Sequence, residues 1–408
     1  MKCRNCGAQL DLVLIDLGSS PLSNAYLTAT TLHHPEKWFP LRVLACESCW
    51  LVQAEAYSLA TEIFNEEYAY FSSFSDAWMT HAKKYSDVVT EEFKLNQNSF
   101  VVEVASNDGY LLKNFVNANV PCLGVEPTAS TAAAARAIGV PTLERFFGDD
   151  LAGEVIQTHG HADLIVANNV LAHVPEPHDF LSGVRRLLSK TGVATFEFPH
   201  LLNLIRQNQF DTIYHEHFSY LSLTATVDLM ARSGLRIFRV QEIQTHGGSL
   251  RVFAHPADLG VHPVESSVDN LLQREIDAKM LTTDFYKGFQ DNAIEVKNRF
   301  LQFLIETAAS GKTVAAYGAA AKGNTLLNFA GIGPDLIHFV VDRSPAKQGK
   351  FLPGSRIQIV NESKLAESRP DYIVILPWNL QGEICEQLSI ARSWGAKFVT
   401  AVPSLQIF

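Results

Sequence analysis

The chain has 408 residues, 47% of them hydrophobic and 19% charged, with a formal net charge of −10 at pH 7 and a mean hydropathy of +0.04. That length exceeds one ordinary domain, and the composition excludes a disordered chain. The acidic balance argues against a broad nucleic-acid surface, and no run of eighteen or more apolar residues argues for a membrane span.

Residues 1–62 read as a small β-rich module with two CxxC pairs, short apolar runs (LVLIDLG, LRVLAC) and prolines at Pro21, Pro35 and Pro40. The start, MKCRNCG, has no apolar leader, so a cytoplasmic protein is expected. Cys3, Cys6, Cys46 and Cys49 place four thiolates on two knuckles, the donor set of a closed, structural tetrahedral zinc site. Redox pairs or free thiols remain the alternative. Cys122 and Cys385 stand alone in apolar settings and read as small buried hydrophobes.

From Asp76 to Phe93, the spacing of Trp78, Ala82, Tyr85, Val88 and Val89 predicts an amphipathic helix. Residues 100–200 then alternate strands (FVVEVAS, PCLGVEP, ADLIVANNV, GVATFEFP) with helices at 109–118, 128–137 and 177–189, the rhythm of a parallel α/β sheet. A helix near 223–233 precedes LRIFRVQEI and SLRVFAH, expected as an antiparallel pair closing the sheet. A charged, helical stretch follows at 265–309. The alternation restarts with KTVAAYG, a helix at 322–330, IHFVVD, YIVILP, a helix at 380–393 and KFVTAVP. The expected units are therefore 1–62, 63–307 and 308–408, an α/β protein whose last unit is a smaller doubly wound domain.

In VVEVASNDG a buried strand runs into the turn Ala105, Ser106, Asn107, Asp108, Gly109, and ligands of open α/β sheets bind at such strand ends. Acid near the turn suits a cofactor that carries a sulfonium and an amino acid rather than phosphates. Glu103 on the strand, and Glu126 at the end of the next strand, where a carboxylate can take both ribose hydroxyls, therefore point to S-adenosylmethionine. Asn168 and Asn169 end a third strand, with amides for the cofactor's amino-acid end or the substrate. Phe146 and Phe147 flank the adenine or pack the core. A nicotinamide enzyme is the rival for this turn, but G-x-G-x-x-G is absent.

The segment IYHEHFSY concentrates Tyr214, His215, Glu216, His217 and Tyr220. If extended, it sets His215 and His217 on one face and Tyr214 and Glu216 on the other. One reading is a hydrogen-bonded turn; the other is acid/base work, a His as base, Glu216 orienting it and Tyr214 donating to a developing oxyanion. His173, just past the third strand, joins them or is structural. In AAYGAAAKGN, Gly318 and Gly323 flank a strand-to-helix turn with Lys322 at the helix start and Asn324 after it, a cradle for a diphosphate or a ligand-free scaffold. Asp342 ends the following strand.

The order of CRNCG and CESC, PLSNAYL, EYAYFSSFS, VVEVASNDGYLL, NNVLAHVPEP, IYHEHFSYLS, THGGSLRVF and AYGAAAKGNTLLN resembles the three-domain, zinc-containing C-methyltransferases that act on nucleotide-linked deoxysugars, over essentially the whole chain. The resemblance implies an N-terminal zinc-binding module, a central Rossmann-like class I methyltransferase domain and a C-terminal nucleotide-sugar-binding domain. It implies S-adenosylmethionine as methyl donor and a thymidine-diphosphate-linked 4-keto-6-deoxysugar as acceptor, methylated next to the ketone. His217 would be the base, with Tyr214, Glu216 and His173 nearby and Tyr68 or Tyr70 over the site. The expected partner is this small molecule, with neither nucleic acid nor membrane, in a monomer or weak homo-oligomer. Two alternatives stay open: an NAD(P)-dependent nucleotide-sugar oxidoreductase using 308–408, and a non-enzymatic zinc-ribbon adaptor.

Overall fold

The computed structural model describes residues 1–57, 71–260 and 262–408. Three sheets organise it. The first is antiparallel: Leu12–Ser20, Phe39–Ala45 and Val52–Ala54 pair in sequence, and Ser219–Tyr220, from far along the chain, forms its last strand. Side chains alternate across a strand, and here the two faces enter different cores. Leu44 packs with the central domain around Val102, Ile165 and Phe196. Its neighbours Val43 and Ala45 pack with the C-terminal sheet and the helix Phe289–Ala309. The N-terminal module is thus wedged between the two α/β units.

The central sheet has seven strands in the order Leu235–Ile243, Ser249–Pro256, Leu188–Pro199, Ala162–Asn168, Val101–Val104, Cys122–Val125, Thr142–Leu143. The last five are parallel, and the first two form the expected antiparallel pair on one edge. Val101–Val104 lies in the middle, with chain order diverging to either side, so its carboxyl end is the switch point where a crevice opens.

The predicted helices recur with shifted ends, except that the one expected over 380–393 is α-helical only over Gln381–Gln387 and gives way to a 3-10 segment over Ser389–Trp394. The one expected from residue 109 begins at Leu112, because residues 105–109 are spent on the turn. In Asp76–Glu92, Ala82, Tyr85 and Val89 are buried as expected, but Val88 is 46% exposed. The helix Asp149–His159, unread in the sequence, packs on Pro177–Leu187. The glycines of this helix pair resemble breakers yet serve close approach: a Cβ on Gly153 would lie 2.8 Å from the Arg186 guanidinium, and one on Gly183 of the partner helix would lie 2.7 Å from the Gly148 backbone. Cys122 and Cys385 are half-buried at the margins of two cores rather than fully enclosed.

The C-terminal sheet runs Ile359–Val360, Val340–Val341, Val314–Tyr317, Tyr372–Ile375, Lys397–Thr400, Gln406–Ile407, all parallel except the last. Two short edge strands, 359–360 and 406–407, escape sequence reading because two residues carry no periodicity. Among the described residues, no helix is long and apolar enough to cross a membrane.

Candidate active site

The carboxyl ends of the central strands and the first turn of the C-terminal domain face one another across a cavity of about 740 Å³. All three modules contribute to its wall: Asn24 from the first, Asn107, Glu126, Asn168, His173 and His217 from the second, Lys322, Lys347 and Asn379 from the third.

At one end lies the turn after Val101–Val104. Ala105, Asn107 and Gly109 all have positive φ (52°, 50° and 77°). Left-handed backbone at two non-glycine residues is strained, and surrounding contacts hold it. Glu126 is the main one: its carboxylate accepts the Asn107 N–H and the Thr128 N–H, each at 2.9 Å. Asn107 Oδ1 in turn accepts the Ser72 N–H at 2.9 Å. Burial raises the Glu126 carboxyl above its usual range. Ala105, Asn107, Glu126, Asn168 and Asn169 all line the cavity. Both amide atoms of Asn168 are buried without a partner among the described residues, a donor and an acceptor suited to a zwitterionic amino-acid end.

Three expected cofactor residues lie off the wall. Glu103 is buried beneath the turn beside Tyr110, and burial pushes its carboxyl well above the ordinary range. Ser106 points to the neighbouring strand, its Oγ filling the space that a Cβ on Gly124 would need. Gly109 packs on Val140 and Ala135, which would lie 3.0 and 3.2 Å from a Cβ at this position. These residues build the turn from behind. Phe146 and Phe147 both line the cavity; Phe147 also meets Phe180 edge-on at 5.6 Å, so it serves the core as well.

Residues 214–217 are a turn, not a strand, closed by the His217 N–H on the Tyr214 carbonyl at 2.9 Å. The expected two-faced arrangement therefore fails. Tyr214, Glu216 and His217 line the cavity together, while His215 turns to the N-terminal module, between the carbonyls of Phe39 and Pro40. The His217 ring lies 4.1 Å from that of Tyr214, tilted by 34°, and meets His173 edge-on at 4.6 Å. Its Nδ1 bonds the Thr212 carbonyl at 2.8 Å, so backbone rather than Glu216 orients the ring. Glu216 instead accepts from Asn24 Nδ2 at 2.6 Å. Burial, then the neighbouring His173, holds the His217 pKa well below its usual value, and burial lowers His173 to about 4. Both rings are neutral near pH 7. Tyr68 and Tyr70 lie outside the described residues.

The C-terminal turn is closer to this centre than a separate cradle would be. Lys322 lines the same cavity, its Nζ on Asn379 Oδ1 at 2.7 Å and 4.8 Å from the Trp378 ring centroid. Gly318 and Gly323 are packing positions: a Cβ at Gly318 (φ +90°) would sit 2.5 Å from Pro377, and one at Gly323 would sit 2.9 Å from Leu376. Asn324 faces the N-terminal module, donating to the Ser23 carbonyl at 2.6 Å. Asp342, the acid that would meet a dinucleotide's ribose, accepts the Ala319 and Ser344 N–H groups at 2.8 Å each.

The four Sγ atoms of Cys3, Cys6, Cys46 and Cys49 lie within 4.8 Å of one another. Cys3–Cys49 and Cys6–Cys46 are 3.5 Å apart, near the ~3.8 Å edge of a tetrahedron with Zn–S bonds of about 2.3 Å. The donor set and spacing fit zinc, with no position open for catalysis.

Sequence reasoning missed His246, Trp78 and Asn24 on the cavity wall. His246 has φ 53°, lies 5.3 Å from the Trp78 ring, and is followed by Gly247, whose Cβ would strike Trp378 at 2.6 Å. The adjacent glycines of THGGSLRVF were the available signal, a backbone too crowded and too strained for side chains.

Three family models match in succession: "Putative zinc binding domain" over 3–64, "Methyltransferase domain" over 77–240 and "C-methyltransferase C-terminal domain" over 244–403. The C-methyltransferase NovU of Streptomyces niveus is 35% identical over 406 residues, covering 100% of this chain and 96% of that protein. Among solved structures, magnesium protoporphyrin IX methyltransferase of Synechocystis PCC 6803 with bound SAM overlaps 44% of this chain and 81% of its own, at 15% identity and TM-score 0.32. A S-adenosylmethionine-dependent methyltransferase from Clostridium acetobutylicum overlaps 44% and 92%, at 11% identity and TM-score 0.36.

Proposed function

We propose that this chain, which belongs to the S-adenosylmethionine-dependent C-methyltransferases, methylates a carbon next to the ketone of a thymidine-diphosphate-linked 4-keto-6-deoxysugar. The observation that carries the acceptor reading is a neutral histidine beside a tyrosine and a second histidine, opposite a lysine, in one cavity. Carbon is a poor nucleophile until a proton leaves, so carbon methylation needs a base and donors for the enolate oxygen.

The Nδ1 of His217 is committed to the Thr212 carbonyl, which leaves Nε2 as the acceptor for the α-proton. As the C–H bond breaks, its electron pair moves into the enolate, and the proton stays on the imidazole. Tyr214 supplies a donor for the developing oxyanion; the single N–H of neutral His173 is spent on the Glu216 carbonyl. Glu216, held by Asn24, adds a carboxylate to the same cavity wall. Glu126, Asn107, Asn168 and Asn169 would hold the cofactor, which supplies an electrophilic methyl group on a sulfonium. Lys322 and Lys347, on the opposite wall, suit the diphosphate end, whose binding orients the sugar. The nicotinamide rival is disfavoured by the absence of G-x-G-x-x-G from the AAYGAAAKGN turn.

The test is incubation with methyl-labelled cofactor and a 4-ketosugar nucleotide, followed by NMR of the product. A new methyl group on a carbon adjacent to the former ketone supports the reading. A methyl signal on oxygen or nitrogen rejects it.

A further inference from the structure

We infer that the zinc knuckle positions the catalytic turn through Arg4, a conclusion that rests on reading His217 as the base. In Cys3-Arg4-Asn5-Cys6 the outer residues face the metal cluster and the inner two face the central domain. Arg4 Nη1 donates to the Phe218 carbonyl at 3.0 Å and Nη2 to the Ala54 carbonyl at 2.8 Å. Its guanidinium lies 5.5 Å from the Phe218 ring centroid. Asn5 Nδ2 donates to Asp228 at 2.7 Å, and the Asn5 carbonyl bonds His178 Nε2 at 2.8 Å.

Phe218 is the residue directly after His217. Its carbonyl also accepts the Ala54 N–H at 3.1 Å, and the next two residues pair with Gln53 and Val52. Gln53 closes the circuit to the cluster: its Oε1 accepts the Arg4 N–H at 2.9 Å, and its Nε2 lies 3.3 Å from Cys3 Sγ. On the other side, Thr325 Oγ1 donates to the Ile213 carbonyl at 2.9 Å. The turn 214–217 is therefore pinned at both ends, by the C-terminal domain before it and by the zinc knuckle after it.

A rigid two-donor fork across two carbonyls fixes both the position and the tilt of the peptide that follows the base. A turn is otherwise free to shift, and a displacement of about 1 Å at a reacting group lowers rate by about a hundredfold. Arg4 is thus a positioning residue. It does not line the cavity.

The test uses Arg4→Met and Arg4→Lys in the zinc-loaded full-length protein. The expected results are unchanged zinc content by metal analysis, cofactor affinity within about twofold, and hydrogen exchange of peptides covering 213–220 faster by about tenfold, with regions other than these and the paired strand 52–54 unchanged. Turnover should fall by about tenfold or more with little change in KM, and Arg4→Lys should recover part of it. Stripping zinc from the wild type should loosen the same peptides. Unchanged exchange at 213–220, loosening spread over the whole chain, unchanged turnover, or zinc loss in both variants would overturn the inference. A wild type inactive on every ketosugar nucleotide would count against the substrate reading alone, since the exchange measurement decides this one without substrate.

Discussion

Thr212 and His217 are joined by a 2.8 Å hydrogen bond from the imidazole to a backbone carbonyl, across a turn that sets both Tyr214 and His217 on the cavity wall. A backbone acceptor cannot ionise, so the Nδ1-protonated tautomer is held at every pH where the ring is neutral. That leaves Nε2 to accept a proton. His217→Ala should lower kcat by about 10²–10⁴-fold and leave S-adenosylmethionine affinity within about twofold. Single-turnover assays and calorimetry on one preparation check both halves.

Glu126 and Glu103 are both buried acids near the turn 105–109, yet only Glu126 lines the cavity. Glu126→Ala strands the Asn107 and Thr128 N–H groups, at about 1–3 kcal/mol each, and removes a cavity carboxylate. Cofactor Kd should rise by about tenfold or more. Glu103→Gln should leave that Kd within about twofold, because burial already favours the uncharged side chain at that position. Titration calorimetry of the two variants separates a ligand from a support.

His173 has its pKa lowered to about 4 by burial, against 6.5 for the free side chain. The unfolded chain therefore takes up this proton first as pH falls. The stabilisation is fully present above pH 6.5 and is lost progressively down to about 4. Wild type compared with His173→Asn by urea melts should lose at most about 2–3 kcal/mol more stability over that window, less where cavity water screens the ring. Equal slopes for the two proteins would refute a buried neutral imidazole.

Gly109 combines φ +77° with neighbours 3.0 and 3.2 Å from any Cβ. Gly109→Ala should destabilise by about 1–3 kcal/mol and weaken cofactor binding, since the strained backbone of Ala105 and Asn107 depends on the same turn. Thermal melts with and without S-adenosylmethionine report the two effects. An alanine variant as stable and as tight as the wild type would show that the turn relaxes freely.

Local patterns carried much of this architecture. Runs such as VVEV and LIVAN are long enough and β-branched enough to declare buried parallel strands, and two CxxC pairs state their own chemistry. The helix Asp149–His159 was hidden because Gly148 at its start and Gly153 inside it act through close approach to Pro177–Leu187, which no local window contains. The orientation of Tyr214, His215, Glu216 and His217 follows the hydrogen-bonded-turn reading rather than the extended one, because alternation applies to strands, whereas a hydrogen bond between residues 214 and 217 makes this segment a turn.

By itself the sequence determined the α/β class, the metal donors, the acid at Glu126 and the polar segment around His217, since each depends on residues close together in the chain. Only the tertiary structure decided that Glu103 stands behind the turn, that Lys322 shares the cavity of His217, and that Arg4 and Thr325 hold the turn 214–217 from two modules. Those relations join positions up to 214 residues apart. They arise from how three sheets pack their faces together, and packing over such separations leaves no periodic trace in either partner segment.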